Sequence, residues 1–388
     1  MERIYYFNPA HDMALANNSP YYKAPAEIER MAYDLAVLPA WYGEKGKIKV
    51  GQLQQVELLH LQIAHKELLP DVAWTCKWES GEYMPWGWDA AMLYLLRANG
   101  VDASCLPTDE QIAKIRYLSG RQRCVEVLGK MKNIPGICGD MKICQSLSEV
   151  HFYMSDMGDI VLKSPWSGSG RGVMKVNALT WSDSVEGWIK RVLRSQGEIM
   201  VEPLFDKICD FAMEFFADGS GIVSFVGYSW FEADTYGNYK ENRLCSDRRI
   251  EQMLAVYVSI ATLQRVKFIL TERLSSLLGE NYRGYLGVDM MICRVNGGYH
   301  FHPCVEINLR MNMGIVSHII YEKYVHSLSE GYFRIEHYSR DEEAVKTHKS
   351  MKMRYPLYIT DGKIVKGYLS LTGIDTKTRY QVYILIDT

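Results

Sequence analysis

The segment from Gly287 to Arg310 constrains the fold more than any other part of the chain. Two runs rich in apolar and aromatic residues flank a glycine pair, which is the pattern of a β-hairpin. With Gly297 and Gly298 as a two-residue loop, antiparallel counting sets Asp289 directly opposite Glu306. Strand side chains alternate between faces, so Asn308 joins the two carboxylates on one face. Three converging oxygen donors suit a hard divalent cation, Mg2+ or Mn2+. Magnesium is usually held by one or two carboxylates and completed by water and phosphate oxygens, so the hairpin implies a phosphate-bearing ligand.

Composition narrows the partners of such a site. At 388 residues, 48% of them hydrophobic, the chain can bury cores for two or three domains. A formal net charge of −2 leaves no basic footprint for nucleic acid, and no lysine- or arginine-rich block suggests a membrane surface. The nine cysteines form no Cys-x-x-Cys pair and the first residues carry no long apolar leader, so a reducing, cytoplasmic setting is expected. No apolar run approaches the roughly 18 residues that span a bilayer. Small polar partners are favoured over nucleic acid or membrane.

Read along the chain, residues 3–7 form a strand, broken by Asn8, Pro9 and Ala10 before a helix starting near His11 or Asp12. Helical patterns follow at 53–69 and 89–99, the latter stopped by Gly100, and a first α/β region ends near residue 110. Residues 109–132 and 148–156 read as helices. Then come a strand at 159–163, a glycine-serine loop at 164–172 and a strand at 173–176. The next helix begins near Asp183, where Asp183 and Glu186 have capping-box spacing, and ends at Gly197. Short apolar runs at 198–203, 211–216 and 221–228 suit an antiparallel sheet, and 247–278 reads as one long helix. After Tyr332 the sequence is polar until two final strands, 367–372 and 380–386. There is no internal repeat.

The loop at Ser167, Gly168, Ser169, Gly170, Arg171 and Gly172 has the glycines of a dinucleotide-binding turn. Such a turn opens a helix, whereas this one runs into Val173, Met174, Lys175 and Val176, which is strand-like. No GxxxxGK[ST] element occurs either. The remaining use is a flap between two strands. Its glycines let backbone N–H groups approach phosphate oxygens, its serines add hydroxyls, and Arg171 and Lys163 add charge. Taken alone, the same loop equally suits a plain surface turn.

The order of elements says more. A lysine strand with its glycine flap, then Val201, Glu202, Pro203 and Leu204, then Asp289 and the Glu306-x-Asn308 pair, resembles the ATP-grasp superfamily of carboxylate-amine and carboxylate-thiol ligases, over about residues 110–320. The resemblance implies an α+β ATP-grasp fold, two lobes gripping ATP, preceded by a small Rossmann-like α/β N-terminal domain. It divides the chain into residues 1–110, an ATP-grasp unit at 111–330 and a β-containing extension at 331–388. Within the unit, 111–205 is the smaller lobe with the flap, and 206–330 is the larger lobe with the metal site.

The resemblance also implies roles. Lys163 contacts ATP phosphates, and the loop from Ser167 through Gly172, including Arg171, closes over them. Glu202 and the backbone of Pro203, Leu204 and Phe205 hold the adenine, and Asp210 or a neighbour reaches the ribose. Arg121 matches a basic residue of the family, with Arg123 as its rival. Asp289, Glu306 and Asn308 match the magnesium positions. Arg310 stands where a guanidinium stabilises charge on the transferring phosphoryl group and on the tetrahedral species that follows.

Plainer readings stand beside these. Strand parity puts His300, His302 and Cys304 on the face of Glu306, which admits a zinc site or simply hydrogen-bonded histidines. Asp289 and Glu306 admit a polar sheet surface or a structural salt bridge. Asn8, His11 and Asp12, where a first strand feeds a helix, would bind the acceptor substrate or merely shape the turn. Trp74, Trp78, Trp86 and Trp88 would line a substrate wall or pack in a core. The expected function is an ATP- and Mg-dependent ligase joining a small carboxylate to an amine or related nucleophile through an acyl phosphate. A non-catalytic ATP-binding sensor and a small-molecule kinase are the alternatives, and a homodimer is compatible with either.

Overall fold

A computed structural model describes residues 1–167, 172–233 and 239–387. Among them the strands form three sheets. The N-terminal sheet is parallel, in the order Ala73–Thr75, Lys47–Lys49, Arg3–Tyr6, Glu82–Pro85. Successive side chains of its first strand go to opposite faces. Ile4 packs with Tyr83, Met92 and Leu96, while Tyr5 joins Ile48, Val56 and Leu59. Helix Ala90–Ala98 is capped by Asp89, which accepts from the Met92 N–H, and is followed by Gly100 at φ +78°.

The second sheet is antiparallel, in the order Lys142–Cys144, Ile199–Pro203, Ile160–Lys163, Val173–Val176. Helices Leu147–Met157 and Asp183–Gln196 complete its core through Val150, Val185, Ile189 and Val192. The third sheet has nine strands, in the order Gly298–Asn308, Arg283–Val295, Asp206–Asp218, Val223–Ala233, Tyr239–Leu244, Gly331–His337, Tyr380–Ile386, Lys363–Ser370, Tyr358–Thr360. Helix Ile260–Leu278 lies on it, burying Leu263, Val266, Leu270, Leu274 and Leu278 at helical spacing. The C-terminal strands therefore continue the large sheet. They share a core with the N-terminal sheet, and the Trp41 indole N–H donates to the Leu371 carbonyl at 2.7 Å. Among the described residues no helix is long and apolar enough to cross a membrane.

Several sequence expectations change in detail. The helix expected at 109–132 is two, Asp109–Leu118 and Gln122–Leu128, because the Arg121 N–H leaves the helical ladder for the Pro165 carbonyl. The long helix at 247–278 divides into Asp247–Leu254 and Ile260–Leu278, each restarted by a serine cap, Ser246 and Ser259. Helix Asp183–Gln196 starts after Ser182 and has no capping box. The polar stretch after Tyr332 holds a strand, Gly331–His337, and a helix, Glu343–Arg354.

Candidate functional site

The hairpin turns one residue earlier than its glycine pair suggests. Asn296 and Gly297 have φ of +50° and +81°, as a two-residue type I′ turn requires, and Val295 pairs with Gly298. That register alone would set Asp289 opposite Cys304. A bulge intervenes, in which residues 303–305 oppose Met290 alone, and it falls where Pro303 has no N–H for the ladder. Beyond the bulge Asp289 faces Glu306, and Gly287 faces Asn308. The expected pairing of the acids is present, reached by a different turn and a correcting bulge.

Burial raises the Asp289 carboxyl to about 8, and repulsion from Glu306 and Glu214 adds to it. The Asn308 amide donates to Asp289 Oδ2 at 3.0 Å. Arg121 answers Glu306: its Nη2 donates to Oε1 at 2.7 Å, while Nη1 donates to the Ser164 carbonyl and the Ser167 hydroxyl, each at 2.7 Å. One buried guanidinium thus joins the base of the flap to the acid pair. Gly172 closes that base, accepting from the Ser164 N–H at 2.8 Å. A Cβ there would lie 2.1 Å from the Ser164 hydroxyl, so the approach needs glycine. Gly168, Ser169, Gly170 and Arg171 lie outside the described residues.

Arg310 is held by the N-terminal domain. Its Nε and Nη2 donate to the two oxygens of Asp12 at 2.7 and 2.8 Å, and Nη2 lies 3.2 Å from Asn308 Oδ1. Burial alone would raise the Asp12 carboxyl, but the charge and hydrogen bonds of Arg310 outweigh it and hold Asp12 below the usual range. A bidentate fork of this kind fixes direction as well as charge. His11, Asp12, Ser119, Trp166, Glu306 and Arg310 line a narrow cleft of about 20 Å3. His11 also sits 3.1 Å from Asp89 through Nδ1, so it supports the cleft wall. Asn8 is elsewhere: its amide donates to and accepts from the Gly87 backbone, tying two loops together.

On the smaller sheet, Lys163 Nζ donates to Glu202 Oε2 at 2.7 Å and to the Val305 carbonyl at 3.3 Å. Both side chains are more than nine-tenths buried. Glu202 Oε1 has no partner among the described residues, and burial raises the carboxyl despite Lys163. Pro203 ends that strand, and the Leu204 N–H donates to the Asp159 carbonyl at 2.8 Å. Asp210, the ribose candidate, forms an ion pair with Lys207 and stands opposite Met291.

The histidine face does not become a metal centre. Among the described residues no three of His, Cys, Asp and Glu gather as ligands, and the bulge interrupts the face. His302 is fully buried and edge-to-face with Phe205, and neither ring nitrogen is hydrogen-bonded among the described residues. Burial, then the charge of Lys163, lowers it from 6.5 to about 3. A depressed histidine contributes stability above pH 6.5 that is lost as pH falls toward 3. The unfolding temperature should therefore drop more steeply between about pH 6.5 and 4.5 in the wild type than in His302→Phe, a difference of order 2 kcal/mol at the lower pH. Equal slopes in thermal melts would refute this.

Trp86 is core, edge-on to Phe7 at 5.0 Å, and the Trp78 ring lies under Lys49 Nζ at 4.3 Å. The sequence reading missed Glu214, which stands opposite Gly287 on the same sheet face as Asp289 and accepts from Asn312 and Ser229 at 2.9 and 2.8 Å. Burial raises it to about 7. Its signal was a lone acid inside the apolar run 211–216. A Cβ on Gly287 would lie 2.5 Å from Glu214 Oε2, so the carboxyl needs a glycine beside it in the next strand. Two carboxylates facing in register with an amide beside them fit a magnesium ion that takes its other ligands from water and phosphate.

Two lobes meet at this cleft, one with the Lys163 strand and the other with the acid hairpin, and the chain has the ATP-grasp fold. The solved structures it is similar to include N5-carboxyaminoimidazole synthetase from Staphylococcus aureus with ADP, at 11% identity and TM-score 0.50, covering 100% of this chain and 93% of that one. The biotin carboxylase domain of the Hydrogenobacter thermophilus 2-oxoglutarate carboxylase, with MgADP, ADP and bicarbonate, aligns at 11% identity and TM-score 0.53, covering 100% and 86%. Biotin carboxylase from Campylobacter jejuni aligns at 11% and 0.54, covering 100% and 87%. No protein-family model matches the sequence, and no curated protein matches it.

Proposed function

We propose that the protein is an ATP- and magnesium-dependent ligase that activates a carboxylate as an acyl phosphate and joins it to an amine or related nucleophile. The observation that carries this reading is the hairpin register, which sets Asp289 against Glu306 with Asn308 and Arg310 next in line. Solved neighbours that bind ADP, or MgADP with bicarbonate, support a nucleotide held between the Lys163 strand and the acid hairpin, with a small acid beside it.

In this reading the substrate carboxylate attacks the γ-phosphorus, ADP leaves, and the nucleophile then attacks the acyl carbon and expels phosphate. Asp289, Glu306 and Asn308 would hold magnesium, which would supply charge neutralisation at the phosphate oxygens. Lys163 places a buried positive charge at the start of the flap, and Arg121 links that flap to the acid pair. Arg310, aimed by Asp12, presents a preorganised guanidinium to the charge that develops during transfer. No protein nucleophile takes part. The strand Ile199–Pro203 with Phe205 is the adenine wall.

The test incubates the purified chain with ATP, Mg2+ and pools of small carboxylates and amines, reading ADP and product mass. A condensed product formed with stoichiometric ADP and phosphate is expected. A stable phosphorylated product would make the protein a kinase, and ATP binding without ADP formation across the pools would make it a sensor.

A further inference from the structure

We propose a second small-molecule site, for a compact monocarboxylate with an apolar body, in a cavity between residues 62–65 and the C-terminal helix and strands. The cavity measures about 230 Å3, and none of its lining residues belongs to the cleft at Arg310. Its apolar walls come from Ile63, Leu357, Leu369 and the Tyr355 ring. The wall at Gln62 is fixed, since that amide donates to the Ile374 carbonyl at 2.6 Å and accepts from the Ile374 N–H at 3.1 Å.

Gln62, His65, Tyr368 and Ser370 also line it, each hydrogen-bonded within the protein, and two donors come from one helix face. His348 and Lys352 stand four residues apart in helix Glu343–Arg354. Lys352 Nζ donates to the Gln62 carbonyl at 3.2 Å, which uses one of its three hydrogens. His348 Nδ1 lies 2.9 Å from the Tyr368 hydroxyl, and that hydroxyl already accepts from the Gln381 amide. We assign the Tyr368 hydroxyl as the donor to Nδ1, which places the imidazole hydrogen on Nε2, a donor with no partner among the described residues. Burial and the Lys352 charge lower His348 to about 4, which keeps the ring neutral near pH 7.

A charged donor and a neutral N–H from one helix face, across from the apolar walls, match an anion with two acceptor oxygens and a hydrocarbon body. The volume limits that body to about the size of a benzene ring or a short branched chain. The site does not depend on the ligase reading.

Benzoate is the probe, titrated calorimetrically into the full chain, with benzamide as the neutral control. One equivalent of benzoate should bind, benzamide should not bind at the same concentration, and exposed Lys352→Met should weaken binding by about tenfold or more. Ala64→Trp at the rim should also block it, with unfolding temperatures showing that both variants are folded. The proposal is overturned if benzoate fails to bind at ~10 mM, or binds Lys352→Met as well as wild type. Loss in Arg310→Met with retention in Lys352→Met would place the carboxylate in the other cleft and equally overturn it.

Discussion

An Arg310→Met protein should lose about 10^2- to 10^3-fold in turnover while still binding nucleotide, the effect of removing one preorganised donor from a developing anion. The argument rests on how the guanidinium is held. It is partly buried, forked onto both oxygens of Asp12, and reaches the Asn308 amide that also serves Asp289. Removing it also strands the Asp12 carboxylate, so stability should fall by ~3 kcal/mol. The double variant Arg310→Met, Asp12→Asn separates the two effects. It should recover the unfolding temperature and leave turnover low. If phosphate release recovers along with stability, Arg310 is a strut only.

Asp289→Asn should abolish magnesium-dependent phosphate release, a loss of about 10^3-fold or more, because several kcal/mol of charge stabilisation depend on the ion it holds. The same variant should not be less stable than wild type in metal-free buffer. It removes an acid that burial, Glu306 and Glu214 all push toward neutrality, and it keeps the shape that accepts from Asn308. Added Mg2+ with ATP should raise the unfolding temperature of wild type and leave that of Asp289→Asn unmoved. Full turnover in the variant would displace the metal site from the hairpin.

The acid pair was legible because strand alternation and hairpin counting are local rules, and the lysine strand and the strand after the glycine loop because each is a short apolar run bounded by turn residues. The pairing of Asp289 with Glu306 was reached for an incomplete reason. Asn296 and Gly297 make the turn, and Pro303 restores the count. Both signals were in the sequence, since Asn-Gly is a stronger hairpin turn than Gly-Gly and proline disturbs a ladder. Other features are settled by distant partners. The helix break at Arg121 answers Glu306 and Pro165, and Glu202 meets Lys163 from another strand. The position of Gly331–His337 between Tyr239–Leu244 and Tyr380–Ile386 follows from sheet order, which no local pattern encodes.

The bulge at Pro303 separates the hairpin into two lengths of ladder with independent registers. The acid end is also indexed against the strand Asp206–Asp218, where Asp289 stands opposite Ala212 and Gly287 opposite Glu214, so its register does not rest on the turn alone. The tip, with Asn296, Gly297 and Gly298 exposed, lies on the far side of that bulge from the acids. It is a natural port for a fluorophore or an inserted peptide, attached to the strand that carries the acids without disturbing their alignment.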